Sequence, residues 1–129
     1  PGCEVTNRRR ALTPSAMMVH PDLVFDPAFG IGDIKYKTNW EELPRSDLYQ
    51  VVSFAAAYHS KHATLVSFKT DSRGPLPDVH FGETVVRHFF WDARPTTPPA
   101  DAAESFVRDI RTWLQDVRAS ELGAHRFAT

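Results

Sequence analysis

Between Gly30 and Lys37 the chain reads GIGDIKYK. In an extended backbone alternate side chains leave opposite faces, so Ile31, Asp33, Lys35 and Lys37 share one face while Gly32, Ile34 and Tyr36 share the other. Asp33 and Lys35 then stand side by side, an acid and a base about one strand repeat apart. Upstream, the stretch from Met17 to Phe25 is strand-like, with Met17, Met18, Val19, Leu23, Val24 and Phe25, and Asp26-Pro27 marks a turn. The two segments read as a hairpin. Asp22 interrupts the first of them, on the face expected to carry Met18, His20 and Val24. Pairing the strands brings Asp22 close to Asp33.

The rest of the chain changes period. Pro44 closes a polar stretch, and Ser46 or Asp47 is placed to cap a helix. From Leu48 to about Lys61, Leu48, Val51, Val52, Ala55 and Tyr58 recur at helical spacing. Thr64 to Lys69 reads as a third strand. After a Gly- and Pro-rich loop from Asp71 to Pro77 come a short strand at Val79 to Phe81 and a longer one from Thr84 to Trp91. Pro95, Pro98 and Pro99 form a stiff linker into a last helix from about Asp101, where Asp101 and Glu104 have capping-box spacing. Phe106, Ile110, Trp113, Leu114 and Val117 give that helix one apolar stripe. The order is β-β-α-β-β-β-α, a mixed sheet flanked by helices, hence an α/β fold.

At 129 residues and 42% hydrophobic content the chain suits one domain with a real core. The expectation is a flexible leader over residues 1–15 and a single domain over 16–129. A start at Pro1 suggests a piece of a longer protein. Formal net charge is -1, and neither half is strongly basic, so any nucleic-acid contact must come from local charge, metal ions or a partner. The single cysteine, Cys3, excludes an intrachain disulfide and fits a reducing, cytoplasmic compartment. Thr13, Pro14 and Ser15 break any signal-peptide core after Arg8 to Arg10. The apolar run from Val51 to Tyr58 is too short to span a bilayer, so no membrane is expected.

Two carboxylates at one point repel each other unless a cation lies between them, and Mg²⁺ prefers such oxygen ligands while keeping several waters. Asp22 and Asp33 are therefore candidate metal ligands, Mn²⁺ being able to substitute, and the chemistry that suits them is phosphodiester hydrolysis. The cation would neutralise charge on the phosphate and acidify a bound water. Lys35 would orient that water or stabilise developing charge. Gln50, in the first turn of the following helix, could reach the same site.

Pro21-Asp22, ten residues, then Asp33-Ile34-Lys35 resembles the PD-(D/E)xK nuclease signature in order and spacing. Asp47-Leu48-Tyr49-Gln50 leading into Phe54-Ala55-Ala56-Ala57-Tyr58 is similar to the DLYQ helix of McrC-type subunits, the nuclease components of 5-methylcytosine restriction systems. The resemblance is clearest over residues 17–69. It implies a restriction-endonuclease-like fold and a Mg²⁺-dependent endodeoxyribonuclease acting on DNA. Asp22 and Asp33 would hold the metal, the backbone carbonyl of Ile34 would add a ligand, Lys35 would be the catalytic lysine and Gln50 its supporting glutamine. It also implies a McrB-like GTPase motor as partner, reached through a region missing from this chain. His20 stands where a basic residue is common in that pattern, and only Glu4 precedes the first strand where many such nucleases place a helical glutamate.

Other readings compete. A non-catalytic DNA- or partner-binding module of the same fold would keep the residues without the reaction, and a repair, transposition or toxin nuclease would share the chemistry. His59 and His62 suggest zinc, but no third ligand stands at a telling distance, and solvated helix-end histidines are favoured. Tyr49, Phe54 and Tyr58 read as core. Arg8 to Arg10, and Arg108, Arg111 and Arg118 on the last helix, read as solvated charge.

Overall fold

The computed structural model describes residues 4–6, 10–11, 18–19, 21–26 and 30–127. Two strands of the central sheet, β4 (Leu23–Asp26) and β5 (Gly30–Thr38), form the expected hairpin. They are antiparallel, with Leu23 opposite Gly32, Val24 opposite Ile31 and Phe25 opposite Gly30. Helix α1 (Arg45–Ala57) leads from β5 into β6 (His62–Lys69), and β6 lies parallel to β5. Strand β7 (Val79–Phe81) turns back through Gly82 into β8 (Thr84–Asp92), which pairs parallel with β6. Gly82 has φ 56°, a left-handed conformation that glycine adopts without a Cβ clash.

The chain closes with helix α2 (Pro99–Phe127). Together with β1 (Glu4–Thr6) the main sheet runs β1-β4-β5-β6-β8-β7, while β2 (Arg10–Ala11) and β3 (Met18–Val19) form a separate two-stranded ribbon. The α/β class with a mixed sheet and two helices follows.

The helices cover opposite faces. On one, Ile31, Leu65 and Val86 pack with Leu48, Val51, Phe54 and Ala55 of α1. On the other, Phe25 and Phe89 pack with Ile110, Trp113 and Val117 of α2. Adjacent Val24 and Phe25 serve the two cores in turn, as strand alternation requires. Gly30 lets α2 approach: a Cβ there would lie 2.5 Å from the Trp113 ring.

Several expected boundaries shift. The strand anticipated from Met17 to Phe25 is two strands with a break at Pro21-Asp22, because proline cannot donate to a sheet ladder. Asp22 is therefore on a bend and not on the strand face expected for it; Met17 and His20 lie outside the described residues. Within the expected leader, Glu4–Thr6 pairs with β4 and Arg10–Ala11 with β3; Cys3, Arg8 and Arg9 lie outside the described residues.

Helix α1 starts earlier and stops earlier than expected. Its N-cap is Pro44, with no side-chain cap from Ser46 or Asp47, and Tyr58 ends it. Helix α2 starts at Pro99, in keeping with the tolerance of proline at a first helical position, so Asp101 lies inside the first turn and makes no capping box. No helix among the described residues is long and apolar enough to cross a membrane.

Candidate functional site

Beyond Gly32 the paired register of β4 with β5 runs out, and extending it by one residue sets Asp22 opposite Asp33. The bend at Asp22 turns its carboxylate onto the open edge of β5, where Oδ2 accepts the Ile34 backbone N–H at 2.8 Å. A residue's N–H and C=O leave a strand toward the same edge, so the Ile34 carbonyl opens on Asp22's side. The hairpin supplies the carboxylate by its turn of chain where the sequence had suggested a shared strand face.

Asp33 is buried, only 5% exposed. Burial pushes its carboxyl up to about 6, the Lys35 ammonium opposes that, and the neighbouring Asp22 carboxyl adds to the rise by hydrogen bonding and charge. Lys35 Nζ lies 2.8 Å from Asp33 Oδ2 and donates to Gln50 Oε1 at 2.6 Å. Partial burial works against the Lys35 ammonium, but Asp33, with Asp47 and Asp22 behind it, outweighs this and holds it above the usual lysine range. The pair is unequal because Asp33 faces a second acid and Lys35 faces three.

The four expected side chains thus come together: Asp22 before β4, Asp33 and Lys35 on β5, and Gln50 on α1. A fifth joins them. Asp47, expected as a cap and as the start of the DLYQ segment but not as a site residue, is 8% exposed, and its Oδ1 lies 3.7 Å from Lys35 Nζ. Its Oδ2 is buried without a hydrogen-bond partner. Asp47 and Gln50 are three residues apart, hence neighbours on one helix face, but an acid near a helix start already has a local explanation as a cap.

Among the described residues no group of three or more His, Cys, Asp or Glu side chains forms a cage for a metal ion. The Asp22 and Asp33 carboxylates match what Mg²⁺ needs when waters and phosphate oxygens complete its shell. Asp33, held buried beside another acid, fits the same purpose, since a divalent cation would relieve that repulsion.

The zinc alternative loses its geometry. His59 sits beyond α1 with φ 56°, and His62 opens β6 with Nε2 3.1 Å from Glu121 Oε1 of α2. Phe54 and Tyr58 are core as expected, but Tyr49 is 53% exposed. Arg108, Arg111 and Arg118 are exposed on α2.

No protein-family model matches the chain, and no curated protein does either. What the site can do has to be read from its own chemistry.

Proposed function

We propose that this chain is a metal-dependent endonuclease domain of the PD-(D/E)xK type, hydrolysing DNA phosphodiester bonds. The observation that carries the reading is the meeting of Asp22, Asp33, Lys35 and Gln50 at one open strand edge, from three separate elements. Mg²⁺, or Mn²⁺ in its place, would be held by Asp22 and Asp33, with the Ile34 carbonyl as a further oxygen, and would supply charge neutralisation at the phosphate and a more acidic water.

The protein's own groups do the rest. Lys35 presents a positive donor to the attacking water or to the charge that develops on the phosphate oxygens. Gln50 fixes the Lys35 ammonium by accepting from it, so that little reorganisation is left for the reacting complex. Asp33 serves in its ionised form, which its burial disfavours until a cation arrives. Placement of the DLYQ segment on α1, with Gln50 turned to Lys35, supports the finer reading of a McrC-like effector in a DNA restriction system working with a McrB-like GTPase motor.

Plasmid nicking in Mg²⁺, Mn²⁺ or EDTA tests the reading. Wild type should cut with either cation and not in EDTA. Asp33→Ala and Lys35→Ala should each lower the rate by about a hundredfold or more. Gln50→Ala should cost about tenfold, because an amide positions but carries no charge. Cleavage that survives both Asp33→Ala and Lys35→Ala would refute the assignment. DNA or partner binding with no cleavage under any cation would favour the non-catalytic module.

A further inference from the structure

Asp33 carries two duties that conflict. Its Oδ2 is the carboxylate oxygen nearest the Lys35 ammonium, at 2.8 Å, and its carboxylate is also the deepest candidate ligand for a divalent cation. A cation on Asp33 would weaken that carboxylate's pull on Lys35 and repel the ammonium directly. Gln50 accepts from Lys35 but brings no charge to resist the repulsion. A lysine meant to act beside a cation therefore needs a second anion behind it.

Asp47 is placed for that. It lies in the first turn of α1, where the helix dipole favours negative charge. Its Oδ1 stands 3.7 Å from Lys35 Nζ, looser than the Asp33 contact, and its Oδ2 has no partner although buried. A buried carboxylate with an unmet oxygen is costly to keep, and nothing in the α1 core requires an acid at this position, since its apolar neighbours Leu48 and Val51 already pack the sheet. The charged partner that Asp47 has at this site is the Lys35 ammonium.

We infer that Asp47 is a positioning residue: it is the counter-charge that retains the Lys35 ammonium at the site when Asp33 carries a divalent cation. This rests on the nuclease reading above and adds a residue that acts through Lys35. In the metal-free protein Lys35 is shared by Asp33, Gln50 and Asp47. A cation on Asp33 would weaken that carboxylate's hold on Lys35 and leave Asp47 as the anion that keeps the ammonium in place.

The test combines a chemical probe with binding and kinetics on the whole chain. Lys35 is labelled with an amine-reactive succinimidyl ester, with and without Mn²⁺, and its peptide quantified by mass spectrometry. In wild type Mn²⁺ should change the labelling rate by no more than about twofold, whereas in Asp47→Asn it should raise it by about tenfold. Calorimetric titration with Mn²⁺ should give the two proteins the same affinity within about threefold. Nicking by Asp47→Asn should lose about tenfold or more in kcat with KM for plasmid little changed, and Asp47→Glu should recover part of it.

Thermal melts should show Asp47→Asn folded, since the change is isosteric. If it is not, Asp47→Glu carries the labelling comparison, with a Mn²⁺ response between twofold and tenfold expected. Equal Mn²⁺ responses of Lys35 in wild type and variant, in a protein that binds Mn²⁺ and cuts DNA, overturn the role of Asp47 alone. A large loss of Mn²⁺ affinity in Asp47→Asn overturns it too, by making Asp47 a ligand. A wild type that binds no cation and cuts nothing overturns the nuclease reading, and this inference with it.

Discussion

Asp33 bears the molecule's clearest conflict between stability and use. Its carboxyl is raised from 3.8 to about 6, chiefly by burial, so the folded state prefers the proton more than the unfolded chain does. The resulting stability is fully present below the unfolded value and is lost as pH rises through the folded one. Across that interval the loss is about 3 kcal/mol at most. His88 works in the opposite direction. It is buried among Trp40 and Phe90, its Nε2 lies 2.9 Å from Ser67 Oγ, and its Nδ1 accepts the Leu76 N–H. Burial lowers it from 6.5 to about 4, so its contribution is present above 6.5 and is lost as pH falls toward 4. In wild type the two slopes largely cancel between these limits. Asp33→Asn should remove one of them. Denaturant melts in EDTA should then show the variant more stable than wild type by about 1–3 kcal/mol at pH 8, and nearly equal to it at pH 4. Mg²⁺ at pH 8 should stabilise wild type and not the variant. A variant less stable than wild type at pH 8 would mean that Asp33 is held mainly as a structural partner of Lys35.

At the scale of elements, the helix–sheet contacts make sharper demands than the propensities do. Gly30 is the point where β5 passes under Trp113, and an added Cβ would meet the ring at 2.5 Å. Gly30→Ala should cost about 1–3 kcal/mol through overpacking. Combined with Trp113→Leu the losses should be less than additive in chemical denaturation, because the larger ring is what the methyl strikes. Full additivity would place the cost in the backbone instead. Sequence reading finds the elements with a long period: β5 with its alternation, α1 with Leu48, Val51 and Ala55, and α2 with Ile110, Trp113 and Val117. It also finds the short β7, which the Gly- and Pro-rich loop before it and Gly82 after it set off. Strand β1 has three residues, too few for a period to show. The break at Pro21 is visible as a proline, yet the apolar residues on both sides outweigh it in any window long enough to average. The site was legible in Asp33 and Lys35 because their relation is local. Asp22 was legible only in its proximity, since the bend that aims it is set by pairing with Gly32's neighbours across the hairpin. Asp47 was hidden because an acid near a helix start has a sufficient local explanation as a cap, and only the fold shows that the cap is absent and Lys35 is near. The order β5-β6-β8 comes from pairings distant in sequence, which no local pattern encodes.

For the molecule as a whole, charge sets how the proposed DNA substrate would be met. The net charge is -1, and several cations are committed within the protein: Arg73 to Asp71, Arg87 to Asp78, and Arg94 to Asp92. Arg73 also donates to the carbonyls of Asn39 and Trp40, tying the loop after β6 to the loop after β5. Near the candidate site, Lys37 continues β5 and Arg45 opens α1, both exposed, while Arg108, Arg111 and Arg118 are spread along α2, which packs on the other face of the sheet. Among the described residues no single surface gathers the cations that a tight duplex binder uses. Each phosphate neutralised contributes about −0.9 to the slope of log affinity against log salt. With Lys35, Lys37 and Arg45 as the described contacts on the site's side, these three should contribute about −2 to −3 to the slope. Affinity for duplex at physiological salt should then sit in the nonspecific range, about 10 µM or weaker, with no sequence preference. Fluorescence anisotropy with two unrelated duplexes between 50 and 300 mM salt would measure both, in Ca²⁺ to hold the site without turnover. Slow nicking by the isolated chain, accelerated by a GTP-driven partner, would fit the proposed effector role. A slope steeper than about −6, or nanomolar preference for one duplex, would instead mean that the chain selects DNA by itself, and an autonomous nuclease would replace the motor-dependent one.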